Sequence, residues 1–103
     1  MLLQIPFQNF SYYRQTVTLD KIPYVFVFKY NTEFDFYTID ILNVDGDLLI
    51  AGLKLVLDVD LITPYSNELL PKGKLYCVAK NKNAERIGKN NILTDIALIY
   101  EAA

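Results

Sequence analysis

Tyr24-Val25-Phe26-Val27-Phe28-Lys29-Tyr30 is the stretch that decides the fold. Aromatic residues occupy every second position, and Val25, Val27 and Lys29 fill the alternate ones. A period of two marks an extended strand whose side chains point to opposite faces. Both faces are apolar here, so the strand is expected inside a sheet rather than at its rim. Upstream, Tyr13, Gln15, Val17 and Leu19 alternate with Arg14, Thr16 and Thr18, a strand with one wet face, and Asp20-Lys21 makes the short turn between the two. Downstream, the run Phe36 to Asn43 sets Tyr37, Ile39 and Ile41 against Thr38 and Asp40 and ends in Asp45-Gly46, a tight-turn signal. The run Leu48 to Leu57 pairs back across that turn, with Gly52 in its middle predicting a bulge, a bend or a close backbone approach.

Further along, Pro64, Ser66, Asn67, Pro71 and Gly73 mark a loop, within which Asp60 to Tyr65 fits either a short strand or a helical turn. Lys74 to Ala79 reads as another strand, Lys80 to Asn91 as a polar connection, and Ile92 to Glu101 as a closing strand in preference to a helix. Short strands joined by turns predict a mainly β domain with little helix, an antiparallel meander closed as a small barrel or sandwich over residues 1–103. Val17, Leu19, Tyr24, Phe26, Phe28, Ile39, Ile41, Leu53, Leu55 and Tyr76 are the expected core.

The bulk properties agree with one folded domain. A chain of 103 residues, 52% hydrophobic and 21% charged, lies outside the composition of disordered proteins. No apolar run is long enough for a membrane-spanning helix, and the start has no basic segment of the kind that opens a secretory signal. Cys77 is the single cysteine, so no intramolecular disulfide is expected, and a small buried thiol on a strand is the reading.

Candidate chemistry is sparse. The chain has no histidine, the commonest general base and metal ligand, and its cysteine therefore lacks the usual activating partner. Asp58 and Asp60 share one face of an extended segment, but carboxylate pairs arise by chance in so acidic a chain. Asn43-Val44-Asp45-Gly46-Asp47 has oxygen ligands in a tight loop yet lacks the remaining positions of a calcium loop, so a hairpin turn is expected. No glycine-rich phosphate cradle exists. No catalysis, cofactor or metal is therefore expected.

Two features could serve binding. The strand Tyr24 to Tyr30 could stack bases in a small β-barrel module for single-stranded nucleic acid or glycan, although a sequence pI near 4.9 and the flanking Glu33 and Asp35 favour core packing. The second feature is charge. Residues 1–71 carry nine acids and four bases, a net −5, whereas residues 72–103 carry three acids and six bases, a net +3. Lys72, Lys74, Lys80, Lys82, Arg86 and Lys89 on one side, and Glu33, Asp35, Asp58 and Asp60 on the other, are the candidate partner-binding residues. They would meet head to tail between subunits, or across to a partner, unless the fold sets both groups side by side within one monomer.

Several of these segments, in order, resemble the baseplate plug family of contractile-tailed bacteriophages. They are Gln4-Ile5-Pro6-Phe7, Val17-Thr18-Leu19-Asp20, Tyr24 to Asn31, Phe34 to Ile41, Asp45-Gly46 and Leu49 to Val56, covering roughly residues 4–62. Departures from the family pattern are Lys21 at a turn-glycine position, Glu33 at a basic position and Tyr37 where Trp is common. The C-terminal third is similar mainly in Pro71-Lys72-Gly73 and its closing apolar strand. The resemblance implies a structural, non-enzymatic virion component, made in the host cytoplasm. It would dock on hub, spike or tube-initiating proteins near the tail axis, as a homo-oligomer in the assembled tail.

Overall fold

The computed structural model describes residues 2–65, 68–82 and 84–102. Seven strands follow one another: β1 (Leu2–Ile5), β2 (Tyr12–Leu19), β3 (Ile22–Asn31), β4 (Phe36–Asn43), β5 (Leu48–Lys54), β6 (Lys74–Ala79) and β7 (Ile96–Glu101). They form two antiparallel sheets, ordered β2-β3-β4-β5 and β1-β7-β6, and no helix occurs among the described residues. The sheets do not close into a barrel; of the two expected architectures the sandwich is the one that fits.

β3 is central, as its two apolar faces require. Tyr24, Phe26 and Phe28 point into the space between the sheets, where they join Leu75, Cys77, Leu98 and Tyr100 in one core cluster. Val27 is buried on the opposite face, between Arg14 and Asp40 in the register of the flanking strands. Tyr13 stacks on Phe28 with ring centroids 4.6 Å apart, and Phe7 meets the same ring edge-on at 6.0 Å. The Cys77 thiol lies in this core, and burial pushes its pKa up to about 12.

The turns are built as their residues demand. Asp20 and Lys21 both adopt positive φ, 51° and 70°, which makes a two-residue hairpin between Leu19 and Ile22 and explains why a glycine would suit position 21. The Asp20 carboxylate accepts a short hydrogen bond from the Tyr100 hydroxyl, and that hydroxyl in turn accepts one from the Gly73 N–H at 2.8 Å. A bond between side chains 80 positions apart in the chain thus ties the β2–β3 turn to the second sheet. Gly52 sits at φ 72° in a bulge of β5, where the register against β4 shifts, and its N–H is captured by the Asp40 carboxylate at 2.9 Å.

Several expectations are corrected in detail. Tyr76 is half-buried on the outer face, its hydroxyl 3.4 Å from the Glu101 carboxylate, while Leu75 and Cys77 face the core. Leu75, Tyr76, Cys77 and Val78 are all apolar or aromatic, so periodicity alone could not set the phase of this strand. The run expected from Leu48 to Leu57 stops as a strand at Lys54, and the one from Ile92 begins at Ile96 after a turn in which the Asp95 N–H bonds the Asn91 carbonyl. β1 was not anticipated; it pairs with β7 from Leu2↔Glu101 to Ile5↔Leu98 and ends at Pro6. Asp60 to Tyr65 is neither strand nor helix but a run of bends and turns.

Truncating Phe26 to Ala should lower stability by about 3–5 kcal/mol, read as a shift in the denaturation midpoint at unchanged m value. A loss under about 1 kcal/mol would mean that the space between the sheets is not packed around this ring.

Candidate interaction surface

The bases expected to form one cluster are split between the two ends of the sandwich. Lys72 and Lys74 stand where β6 starts, Lys80 directly after it ends, and Lys82, Arg86 and Lys89 lie in the connection to β7. At about 3.3 Å per residue, β6 alone separates Lys74 from Lys80 by roughly 20 Å. Lys72 spends its ammonium on the Glu68 carbonyl at 2.7 Å.

The acids are also divided. Glu33 and Asp35 belong to the β3–β4 turn, in which the Asn31 side chain accepts the N–H groups of Glu33 and Phe34. Asp35 is a structural hub. Its carboxylate accepts the Lys89 backbone N–H at 2.8 Å, the Tyr30 hydroxyl at 2.7 Å and the Arg86 guanidinium at 2.9 Å. Those three donors, the Lys89 N–H foremost, hold its pKa down at about 2. Gly88 makes the approach possible, since a Cβ there would lie 2.5 Å from an Asp35 oxygen. The fold therefore brings Arg86 and Asp35 together within one chain, and neither is free for a second subunit without breaking that contact.

Asp58 and Asp60 do not converge as a pair of working carboxylates. Asp58 is exposed, at φ 60°, where the chain turns onto the second sheet. Asp60 is half-buried, and one oxygen takes the N–H groups of Ile62, Thr63 and Leu75 at 3.2 to 3.4 Å. Burial pushes its pKa up, but those donors and the Thr63 hydroxyl prevail and leave it below the ordinary carboxylate value. In the β4–β5 turn the Asn43 side-chain oxygen accepts the N–H groups of both Asp45 and Asp47, so this hairpin uses its own oxygens to hold its backbone. Among the described residues no group of three metal-ligating side chains is found.

Phe26 and Phe28, proposed as stacking residues, are wholly interior, as core packing required. The exposed aromatic surface is elsewhere. Phe10 (64% exposed), Phe34 (66%) and Leu93 (43%) lie at one end, where the β1–β2 linker, the β3–β4 turn and the β6–β7 connection come together, and Tyr12 and Tyr65 are exposed as well. Phe10 and Leu93 line one shallow cavity of about 190 Å³ with Lys89. Lys80 and Lys82 lie at this same end, exposed and outside the ion pairs found among the described residues. These apolar residues were missed from sequence because turn aromatics carry no period; their signal is only that a large ring in a turn has little core to enter.

Compared with known proteins, the chain matches the model of the family described as cyanophage baseplate Pam3 plug gp18, over residues 2–103. No curated protein matches it. The chain belongs to that family, which makes it a structural component of a phage tail baseplate.

Replacing Asp35 with Asn should flatten the acid limb of the stability curve. The Asp35 pKa is lowered on folding, so its contribution is complete above the unfolded value of about 3.9 and is lost as pH falls through about 2. Melting temperatures at closely spaced pH values across that window should fall more steeply for the wild type than for the variant; parallel curves would contradict the hub. Separately, melting curves in millimolar calcium and in chelator should overlay, and a rise of about 5 °C with calcium would show that the β4–β5 turn binds the ion after all.

Proposed function

We propose, from its membership of the family of baseplate plugs, that this chain is a non-enzymatic plug subunit. It docks on hub, spike or tube-initiating proteins close to the tail axis, in more than one copy, and helps to close the tail lumen. The observation that carries this reading is the family match across residues 2–103. The chemistry of the surface supports it. A site for catalysis gathers unpaired, perturbed polar groups in a cleft, whereas here Asp35, Asp40 and Asp60, the carboxylates held below their ordinary pKa by several donors, are occupied with bracing backbone and turns and with the Lys29 ammonium.

The docking end is the one that exposes Phe10, Phe34 and Leu93. Rings in a surface cluster supply the buried centre of an interface, and Lys80 and Lys82 stand at its rim beside exposed Glu33. Lys74 remains for a second neighbour at the other end of β6, as an axial component in contact with subunits above and below requires. The chain is made in the host cytoplasm and enters the virion with the baseplate.

Mass spectrometry of purified tails should find the chain in a few copies per particle, and deleting its gene should leave tails that fail to assemble or seal. Complete, infective tails without it would overturn the reading. Reversing Lys80 and Lys82 to Glu, with Arg86 left in place to brace Asp35, should leave the melting temperature unchanged but slow incorporation, most at low salt. Rim charges act mainly on association rate and are screened beyond about 8–10 Å at physiological ionic strength. Incorporation equal to wild type at every salt concentration would remove these lysines from the interface.

A further inference from the structure

Backbone hydrogen bonding closes the sandwich on one side and leaves it open on the other. After β5 the chain passes from one sheet to the other: the Leu55 N–H bonds Tyr37 on β4, Leu57 bridges Cys77, and the N–H groups of Asp58 and Leu61 bond the carbonyls of Cys77 and Leu75 on β6. The Leu75 N–H is taken by the Asp60 carboxylate, so the outer edge of β6 is occupied. The outer edge of β5 is broken by its bulge.

Among the described residues the opposite side has no such seam. β1 and β2 are both edge strands and are not paired with each other. Their backbone directions follow from the ladders. The Tyr30 N–H bonds the Ser11 carbonyl, which places the groups of Tyr13, Gln15, Val17 and Leu19 toward β3, so those of Tyr12, Arg14, Thr16 and Thr18 face outward. By the same alternation, starting from the bond between the Lys80 N–H and the Asp95 carbonyl, Leu3 and Ile5 face β7 while Leu2 and Gln4 face out. The linker narrows this gap at one end, where the Tyr13 hydroxyl accepts the Gln8 N–H at 3.0 Å. At the other end the gap opens into an apolar cavity of about 360 Å³ lined by Leu2, Leu3, Thr18, Leu19, Tyr100 and Ala102.

β2 also lacks the devices by which proteins protect an edge. It is eight residues long, its register with β3 is unbroken, and it holds no proline, no glycine, no lysine and one charge, Arg14. We propose that the gap between β1 and β2 is the socket for an extended segment of another baseplate subunit, added as a strand along β2; this rests on the proposed plug role. Outward N–H and C=O groups at strand spacing are complementary to another strand, and the apolar cavity takes its alternate side chains. The cavity is lined by residues of both β1 and β2, so an occupant that fills it lies between the two strands. Each described strand is already part of a sheet, so any free edge of a second folded copy arrives with its sheet behind it, whereas an extended arm or loop of a neighbouring subunit enters alone.

The test uses the whole chain and purified tails. Thr16→Pro removes one outward donor without touching the β3 ladder, and edge strands tolerate proline in that orientation; Thr16→Val keeps the donor. Thr16→Pro should fold, yet enter tails at least ~10-fold less than Thr16→Val, because strand addition draws its affinity from main-chain bonds. Independently of that variant's folding, the wild-type amides of Arg14, Thr16 and Thr18 should exchange at least ~10-fold more slowly in tails than in the isolated chain. Equal incorporation of the two folded variants, or equal exchange in both states, overturns the socket. Protection that appears in the isolated chain and rises with its concentration, alongside dimers in sedimentation, overturns it in favour of a second copy. Absence of the chain from tails overturns the plug role as well; its presence with an unprotected β2 overturns only the socket.

Discussion

Phe26 and Phe28 on β3 are the side chains around which the two sheets meet. A three-stranded sheet joined to its neighbour by few backbone bonds needs apolar contact to hold it, and those rings, with Tyr13 and Phe7 packed on Phe28, supply it. Because β3 lies between β2 and β4, the hairpins on either side inherit their register from it. Polar links then fix what packing leaves loose. The Asp20–Tyr100–Gly73 chain pins one end of the sandwich, and the Asp35 hub pins the other. Burial and the bond to Asp20 push the Tyr100 pKa up to about 12, so the hydroxyl keeps its proton at any ordinary pH.

The same framework explains why the surface is poor in chemistry and rich in contact area. Its well-held carboxylates are held by donors of their own chain, which is the arrangement of a brace rather than of an acid or base awaiting substrate. The residues left outside are aromatic and aliphatic side chains at the ends and unpaired backbone along β2. Both are means of binding other polypeptides, in keeping with a family of baseplate plugs.

Much of the fold was legible because β2, β3 and β4 alternate strictly and Asp45-Gly46 punctuates them. Where alternation failed, reading failed: four consecutive apolar or aromatic residues from Leu75 to Val78 hid the phase of β6, and four residues before Pro6 were too few to announce β1. The candidate site was harder to see. Net charges of sequence segments say nothing about space, and the fold placed Arg86 against Asp35 across 51 positions while setting Lys74 and Lys80 at opposite ends of one strand. The unclosed side of the sandwich has no sequence signal, because it is a property of which edges meet. Gly52 signalled a bulge, a bend or a close approach, and the structure makes it a bulge that breaks the edge of β5.

On the proposed reading, the chain is a packed scaffold whose free β2 edge receives a strand from a neighbouring subunit. A reconstruction of the purified tail at side-chain detail tests this most directly. It should place the chain at the baseplate axis with an extended segment of a different subunit alongside Thr16 and Thr18, within hydrogen-bond distance of their backbone. A chain seated in the baseplate with the β2 edge open to solvent would contradict it.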